Sequence, residues 1–274
     1  MDRTTLGDRM KNNYENITRY YLTRRMPVII RIDGRAFHTF TRGFKKPFDD
    51  ILVNTMQDTM KYLCENIQGC VLGYTQSDEI SLVLTDYAEL TTDAWFGNNL
   101  QKMCSISASM ATMAFTKYFM KNVNECERMA LIGNVALFED DAKYINVLKK
   151  AIEKGALFDS RVFTIPKEEV CNYLIWRQQD ATRNSIQSVG QANFSQKELH
   201  GKSCNNIQDM LMLQKSINWN DYSTTLKRGS CCIKTVIQDS TIDIKGGAHP
   251  ISKWVIDNEI PIFTQDRNYV EKLI

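Results

Sequence analysis

Residues 70–87 read CVLGYTQSDEISLVLTDY, two apolar runs separated by the polar residues QSDE. Short apolar runs on either side of a polar break are typical of a β-hairpin. The pattern places the acidic pair Asp78 and Glu79 at the tip of the hairpin or at the start of its second strand. The hairpin therefore presents two carboxylates at one end of a sheet.

The segments around this hairpin alternate between strand and helix signals. Residues 28–34, VIIRIDG, predict a buried strand that runs into a tight turn. Apolar residues at helical spacing predict a helix over residues 48–66, and residues 99–121, which contain no Gly or Pro, predict a largely buried helix. A further strand is predicted at residues 160–166, where Pro166 closes it.

The resulting order is strand, helix, strand, strand, helix, strand. This is the ferredoxin-like split βαβ arrangement, an α+β fold in which an antiparallel sheet carries helices on one face. We assign residues 1–180 to this core. Residues 181–274 are predicted to form a C-terminal helical and β extension that packs on the core, and with it a single compact unit.

Two features of the later sequence lead to specific expectations. The helix predicted at residues 167–194 contains Gly190, where we expect an interruption. A short helix is predicted at residues 205–215, followed from Arg228 by β-type runs with a turn at Gly246-Gly247.

The composition is that of an ordinary globular protein, with 43% hydrophobic and 24% charged residues. The net charge is only +2, so any surface that binds a polyanion has to be local. The N-terminus is too polar for a secretory signal, and no apolar stretch approaches the ~20 residues that cross a bilayer. We therefore expect a cytoplasmic protein without a membrane partner.

Cysteine and histidine usage restricts the kind of metal site. The eight cysteines form no CxxC pair, and only His38, His200 and His249 are present. Reduced thiols are expected, in agreement with a cytosolic setting. A bound metal would then be held by oxygen ligands, which makes Mg²⁺ the candidate.

The candidate ligands are the acids that end two predicted strands. Asp33 ends the first strand, and the split βαβ topology makes that strand a neighbour of the one that carries Asp78 and Glu79. Carboxylates that converge repel one another unless a cation lies between them, and two Mg²⁺ ions ~4 Å apart can drive phosphoryl transfer. Gly34 lacks a side chain, so its carbonyl can approach a metal or a phosphate. Taken separately, the Asp-Gly pair could be a simple turn and the SDE segment a solvated tip.

Four motifs resemble one known family. RIDGRAFHTFTRGFKKPFDD at 31–50, YTQSDEISLVL at 74–84, FDSRVF at 158–163 and YLIWRQQD at 173–180 look like those of the tRNA(His) guanylyltransferases, which add nucleotides in the 3′-to-5′ direction. The similarity covers about residues 10 to 185. It implies a palm-type polymerase core, two Mg²⁺ ions, ATP or GTP activation of a 5′-monophosphorylated tRNA, and attack by an incoming nucleoside triphosphate. It also implies a homo-tetramer.

Site residues are carried over from the resemblance by position. Asp33, the Gly34 carbonyl and Asp78 correspond to metal ligands, with Glu79 as support or as an additional ligand. His38 and Lys46 fall where the family contacts the triphosphate, although His38 could equally be a packed ring and Lys46 a solvated side chain.

Other residues of the same motifs complete the nucleotide-binding set. Lys102 falls where the family places a basic residue for the 5′-activation step. Arg31 shares a strand face with Asp33, so that it could meet a phosphate or neutralise the acids. Ser77 could orient a phosphate or the hairpin. The set also includes Arg35, Ala36 and Phe37.

One departure from the family pattern concerns the segment after WRQQD. Members that mark tRNA(His) carry an HINN-type segment there, whereas this chain has Thr182 at the histidine position and retains Asn184. That histidine is associated with recognition of the histidine anticodon. The sequence therefore resembles the guanylyltransferase-like branch, which repairs truncated tRNAs by copying the opposite strand. Trp176, Arg177 and Asp180 are expected to be structural, with the tryptophan in the core.

RNA contact is predicted from local basic groups, which position the phosphate backbone without reading sequence. Each is individually also consistent with an ordinary solvated surface. The candidates are Arg24, Arg25, Lys45, Lys46, Arg183, Asn184, Lys227 and Arg228.

Two other functions share parts of this pattern. Nucleotide cyclases use the same palm architecture, but the diguanylate cyclases carry GG[DE]EF at the hairpin, where this chain has QSDE preceded by Thr75. A catalytically silent RNA-binding module is the other alternative, and the intact acids argue against it.

Overall fold

The computed structural model of the chain describes residues 5–132, 139–238 and 250–274. Its strands are β1 (Val28–Gly34), β2 (Cys70–Gln76), β3 (Glu79–Leu84), β4 (Phe158–Thr164), β5 (Ser230–Gln238) and β6 (Pro250–Asp257). Its α-helices are α1 (Leu6–Met10), α2 (Phe37–Phe40), α3 (Asp50–Asn66), α4 (Leu100–Ile132), α5 (Glu139–Lys154), α6 (Lys167–Asn193), α7 (Gln196–Leu199), α8 (Cys204–Lys215), α9 (Thr224–Arg228) and α10 (Asn268–Glu271).

The strands form one antiparallel sheet in the order β4-β1-β3-β2-β5-β6. The α+β palm-type fold is thus confirmed, and β1 and β3 are central neighbours as the split βαβ topology requires. The two C-terminal strands do more than pack on the core, because β5 pairs with the edge of β2 and continues the same sheet.

Alternation along β1 places its side chains on two faces. Ile30 and Ile32 belong to the cluster formed with α3 and α4, whereas Ile29 packs in a second cluster with residues of α6 and α10. The predicted helices on one face are α3 and α4. The structure places α6 on the other face, an arrangement that the prediction does not include. Arg31 and Asp33 follow Ile29 by two and four residues, so they lie on the same face of the strand as Ile29, the α6 side.

The helix predicted at residues 48–66 begins at a well-defined cap. Asp49 precedes α3, and its carboxylate accepts hydrogen bonds from the backbone N–H of Leu52 at 3.1 Å and of Lys45 at 3.0 Å. The Tyr144 hydroxyl of α5 donates to the same carboxylate at 2.7 Å. Asp49 thereby fixes the start of α3 and the loop that precedes it.

Several boundaries differ from the sequence prediction. Helix α4 continues to Ile132, α5 was not predicted, and α6 runs without interruption through Gly190. A Cβ on Gly190 would lie 2.8 Å from Cγ2 of Ile207, so the glycine permits close packing of α8 rather than a break. The Gly246-Gly247 turn lies outside the described residues.

Two further observations bear on the setting of the chain. All eight cysteines are free thiols, five of them buried. Across the described ranges, every helix is too short or too polar to cross a membrane.

Candidate active site

The end of β1 and the tip of the β2–β3 hairpin meet at one rim of the sheet. The backbone N–H of Gly34 donates a 3.0 Å hydrogen bond to the carbonyl oxygen of Asp78. Ser77 is the first of two loop residues in this hairpin and has a φ of 53°, as primed turns require. The structure therefore brings Asp33, Gly34 and Asp78 together, as the sequence predicts.

Asp78 is an acid in an unfavourable electrostatic setting. Burial raises the pKa of its carboxyl, and the nearby charge of Asp33 adds to this effect. The Ser77 hydroxyl acts in the opposite direction by donating a 3.0 Å hydrogen bond to Oδ1 of Asp78. A cation placed between the two carboxylates would offset both the cost of burying the ionised Asp78 and its repulsion by Asp33.

Glu79 differs from Asp78 because guanidinium groups occupy both of its carboxylate oxygens. Arg31 donates to Oε2 through Nε at 2.9 Å, with Nη2 at 2.7 Å, and Arg177 of α6 donates to Oε1 at 2.7 Å. Burial raises the pKa of Glu79, while the two guanidinium groups oppose that shift. Of the two roles expected for Glu79, this geometry favours support over metal ligation.

Among the described residues, the cations nearest to Asp33 belong to Arg31 and Arg161. Nη2 of Arg31 lies 3.7 Å from Oδ2 of Asp33, which agrees with the predicted shared face, and Nη2 of Arg161 lies at 3.9 Å. Arg161 also lies 3.6 Å from Asp159, the residue directly opposite Asp33 on β4. Arg161 and Asp159 are site residues that only their place in the FDSRVF motif could indicate from sequence.

The WRQQD segment contains both a buried side chain, Arg177, and an exposed one, Trp176. Arg177 is 6% exposed and also binds Asp180 at 2.7 Å, so its structural role is as expected. Arg183 forms an ion pair with the same Asp180, and Asn184 contacts it at 3.5 Å. The prediction that Trp176 lies in the core is wrong, because 53% of this residue is exposed.

The loop after β1 presents main chain and exposed polar groups. Ala36 adopts the left-handed region with φ 54°, and Arg35 is exposed while its N–H donates to Leu157 at 2.8 Å. The Phe37 ring is buried against aromatic rings of α4 and β4, so only the main chain of Phe37 is available to a nucleotide. His38 is exposed, with Nε2 3.0 Å from the hydroxyl of Thr39.

The two predicted phosphate-binding lysines are exposed. Lys46 lies in the loop before α3, and Lys102 lies in the first turn of α4 with Nζ 5.9 Å from the centroid of the Phe96 ring. Within the part of the chain that the structure describes, neither ammonium group forms an ion pair. Both are therefore available to an anionic ligand.

The predicted RNA-binding residues differ in how far they are already engaged. Arg24 binds Asp86 at 2.6 Å, and the backbone N–H of Arg25 donates to the same carboxylate at 2.8 Å. Lys227 donates to the carbonyl of Asn220 at 2.6 Å. Nε of Arg228 is buried and has no hydrogen-bond partner among the described residues.

The rim provides ligands that suit Mg²⁺. Over residues 5–132, 139–238 and 250–274, no three His, Cys, Asp or Glu side chains gather into a closed metal site. Mg²⁺ is commonly held by one or two carboxylates, with water and substrate phosphates completing its shell. Two carboxylates, from Asp33 and Asp78, and the carbonyl of Gly34 fit that requirement.

This sheet, with acids at the ends of adjacent central strands, is a palm-type architecture, which nucleotidyltransferases and nucleotide cyclases share. The family model described as Thg1, tRNAHis guanylyltransferase, matches residues 7–166. The chain belongs to this tRNA(His) guanylyltransferase family.

Solved and curated relatives extend the similarity to nearly the whole chain. A bacterial tRNA(His) guanylyltransferase (Thg1)-like protein in complex with ATP is 44% identical, with a TM-score of 0.79 over 98% of this chain and 99% of that one. A structure of such a protein with GTP is 42% identical, with a TM-score of 0.75 and the same coverage. The tRNA(His) guanylyltransferase of Schizosaccharomyces pombe is 26% identical over 86% of this chain and 87% of its own length.

Proposed function

We propose that this protein adds nucleotides in the 3′-to-5′ direction to the 5′ end of truncated tRNA, using the opposite strand as template after ATP or GTP activates the 5′-phosphate. The observation that carries the proposal is the convergence of Asp33 and Asp78 beside the Gly34 backbone. The similarity of this chain to bacterial relatives solved with ATP and with GTP supports the proposed use of these nucleotides.

Each rim residue has a distinct role in the proposal. Asp33, Asp78 and the Gly34 carbonyl would hold two Mg²⁺ ions, and such ions would supply activation of an attacking hydroxyl and neutralisation of a leaving pyrophosphate. Glu79 is a positioning residue, because its pairs with Arg31 and Arg177 fix the start of β3. Ser77 holds the Asp78 carboxylate in place through its hydrogen bond.

The nucleotide-binding groups surround this rim. Lys46 and His38 are proposed to contact the triphosphate of the incoming nucleotide, since free cations and imidazoles suit phosphate oxygens. Lys102 is proposed to act on the activating nucleotide. Arg35 and the main chain of Ala36 and Phe37 complete the set.

The RNA is proposed to lie along basic groups that contact its backbone. Base pairing with the template selects the added nucleotide, so the protein need not read base edges. Thr182 replaces the histidine of the HINN-type segment, which supports action on tRNAs other than tRNA(His). The RNA-binding set comprises Arg24, Arg25, Arg183, Asn184, Lys227 and Arg228.

The cellular setting is part of the same proposal. We propose that the protein works in the cytoplasm, as its composition indicates, and that it forms a homo-tetramer, as the resemblance implies. Light scattering coupled to size-exclusion chromatography tests the assembly directly, and a monomeric mass at micromolar concentration contradicts it.

The decisive experiment supplies a tRNA that lacks its 5′-terminal nucleotide. With Mg²⁺, ATP or GTP and labelled nucleoside triphosphates, we expect extension at the 5′ end with the nucleotide complementary to the template. Asp33→Asn abolishes extension, whereas Asp140→Asn, the same change at an exposed acid of α5, leaves it intact. Growth at the 3′ end, or a cyclic nucleotide formed without RNA, rejects the proposal.

A further inference from the structure

Trp176 is a large apolar side chain left exposed beside the candidate active site. It is 53% exposed, whereas Trp95 and Trp254 are 8% and 7% exposed. Tryptophan is normally largely buried, so an exposed indole beside a cluster of charged groups indicates a binding surface.

The indole is held by cations that are themselves fixed. The guanidinium carbon of Arg177 lies 4.3 Å from the ring centroid, and that of Arg31 lies at 5.8 Å. Both guanidinium groups bind Glu79, so their positions do not depend on the tryptophan. The ring of Tyr173 packs edge-on against the indole at 5.9 Å. Three neighbouring side chains, from α6 and β1, therefore contact the indole.

The same contacts connect the indole to the predicted metal-binding rim. Arg31 links the two groups, because its guanidinium lies 5.8 Å from the centroid of the Trp176 ring and 3.7 Å from Oδ2 of Asp33. A base bound on the indole would therefore lie on the side of the sheet that carries Asp33.

The location on the sheet distinguishes this surface from the proposed nucleotide-binding loop. Phe37 in that loop packs against Phe115 of α4, on one face of the sheet. Trp176 lies on α6, which covers the opposite face. Asp180 and Arg183 follow Trp176 at helical spacing, so the exposed stripe continues into a predicted RNA-binding residue. The continuation of this stripe to Arg183 favours the RNA strand as the ligand at Trp176.

We propose that Trp176 stacks against a nucleobase of the RNA whose 5′ end is extended. Bases stack on exposed aromatic rings whatever their sequence, and an adjacent arginine strengthens such contacts. This inference rests on the proposed function, because it takes RNA as the substrate. It adds a positioning residue that holds the RNA end near the acids.

The test measures RNA affinity and nucleotide use separately. The probe is a tRNA lacking its 5′-terminal nucleotide and carrying a fluorophore at its 3′ end. Trp176→Ala weakens RNA binding by about 5- to 100-fold, whereas Trp176→Phe keeps it within about threefold because a ring remains. Leu213→Ala, a change at an 84% exposed residue of α8, is the matched control and leaves affinity unchanged.

Intrinsic fluorescence supplies a readout that a purely structural role would not move. RNA quenches the emission of the wild-type protein, and Trp176→Phe removes most of that quench although three other tryptophans remain. Thermal unfolding of each variant establishes that it is folded.

The outcomes separate the sources of the base and the two proposals. Unchanged RNA affinity in Trp176→Ala, or equal losses in the Ala and Phe variants, overturns the stacking role. A raised KM for the nucleoside triphosphate with unchanged RNA affinity assigns the base to the nucleotide and also overturns it. If RNA affinity depends on Trp176 while the wild type extends no 5′ end, the stacking holds and the proposed function fails.

Discussion

Asp33 on β1 lies directly opposite Glu79 on β3, yet the two carboxylates have different partners. Both oxygens of Glu79 accept hydrogen bonds from guanidinium groups, whereas the cations nearest to Asp33 stay at 3.7 and 3.9 Å. In this cross-strand pair, Glu79 is neutralised by arginines of the protein, whereas Asp33 remains available to a cation. This difference underlies the separate roles proposed for the two residues.

Asp78→Asn is expected to separate activity from stability. Burial and the charge of Asp33 raise the pKa of Asp78, so its ionised form destabilises the folded state at neutral pH. The neutral amide removes that penalty, and the thermal midpoint in the absence of Mg²⁺ is expected to stay constant or to rise. Nucleotide incorporation is expected to fall below detection. A clear loss of stability contradicts this account of the site.

Mg²⁺ is expected to stabilise the wild type but not this variant. A ligand that binds only the folded state raises its stability by RT ln(1 + [L]/Kd), about 2.7 kcal/mol at a hundredfold excess over Kd. Thermal unfolding with increasing Mg²⁺, with Ca²⁺ as a comparison and Asp140→Asn as the control variant, measures the effect. An equal Mg²⁺-dependent shift in Asp78→Asn and wild type rules out Asp78 as a ligand.

Arg177→Met is expected to be strongly destabilising. Arg177 is 6% exposed, and its loss leaves the buried carboxylate of Glu79 with one cation instead of two. Breaking a buried ion pair from one side typically costs about 3–5 kcal/mol. Denaturant unfolding measures the change, and Glu79→Gln combined with Arg177→Met is expected to recover part of it. Additive losses in the double variant argue against a direct pair.

The sequence predicts the rim well because its signals are local. The apolar runs around QSDE define the hairpin, and topology makes β1 its neighbour, so the meeting of Asp33 and Asp78 follows. The pair between Glu79 and Arg177 has no such signal, since its partners are 98 residues apart and a buried arginine on a helix resembles a solvated one. Only the packing of α6 on the sheet brings them together.

The errors in the fold prediction have a similar origin. Gly190 is read locally as a helix breaker, but it is buried where α8 approaches, and the absence of a side chain serves that contact. Trp176 is assigned to the core by its apolarity, yet charged groups of β1 and α6 surround it. In both cases a tertiary contact decides the role of the residue.

Gly34→Ala is expected to disturb the candidate site through packing. A Cβ at Gly34 would lie 2.2 Å from the Phe37 ring, which is itself buried against Phe115. Overpacking of this kind costs about 1–3 kcal/mol, and displacement of the loop lowers activity further. Gly7→Ala is the control, because a Cβ there meets only the Thr5 hydroxyl at 3.9 Å. Phe37→Leu in the Gly34→Ala background is expected to restore part of the stability.

Tyr173→Phe is expected to change the stability of the protein at alkaline pH. Burial raises the pKa of Tyr173 to about 12, and its hydrogen bond to Ser81 opposes that shift. Since the folded state holds this proton more tightly, the resulting stability is fully present below the unfolded pKa of ~10 and is lost as pH rises through the folded pKa. Other buried tyrosines add to the same decline.

The phenylalanine variant isolates the contribution of this one hydroxyl. At pH 7 it is expected to be less stable by about 1 kcal/mol, because the hydroxyl of Ser81 loses its partner. Between pH 10 and 12 its free energy of unfolding is expected to fall less steeply than that of the wild type. Urea unfolding at intervals across that range gives both slopes. Parallel curves for the two proteins would show that Tyr173 has the same pKa in the folded and unfolded states. They would contradict the account in which burial of its hydroxyl raises the pKa.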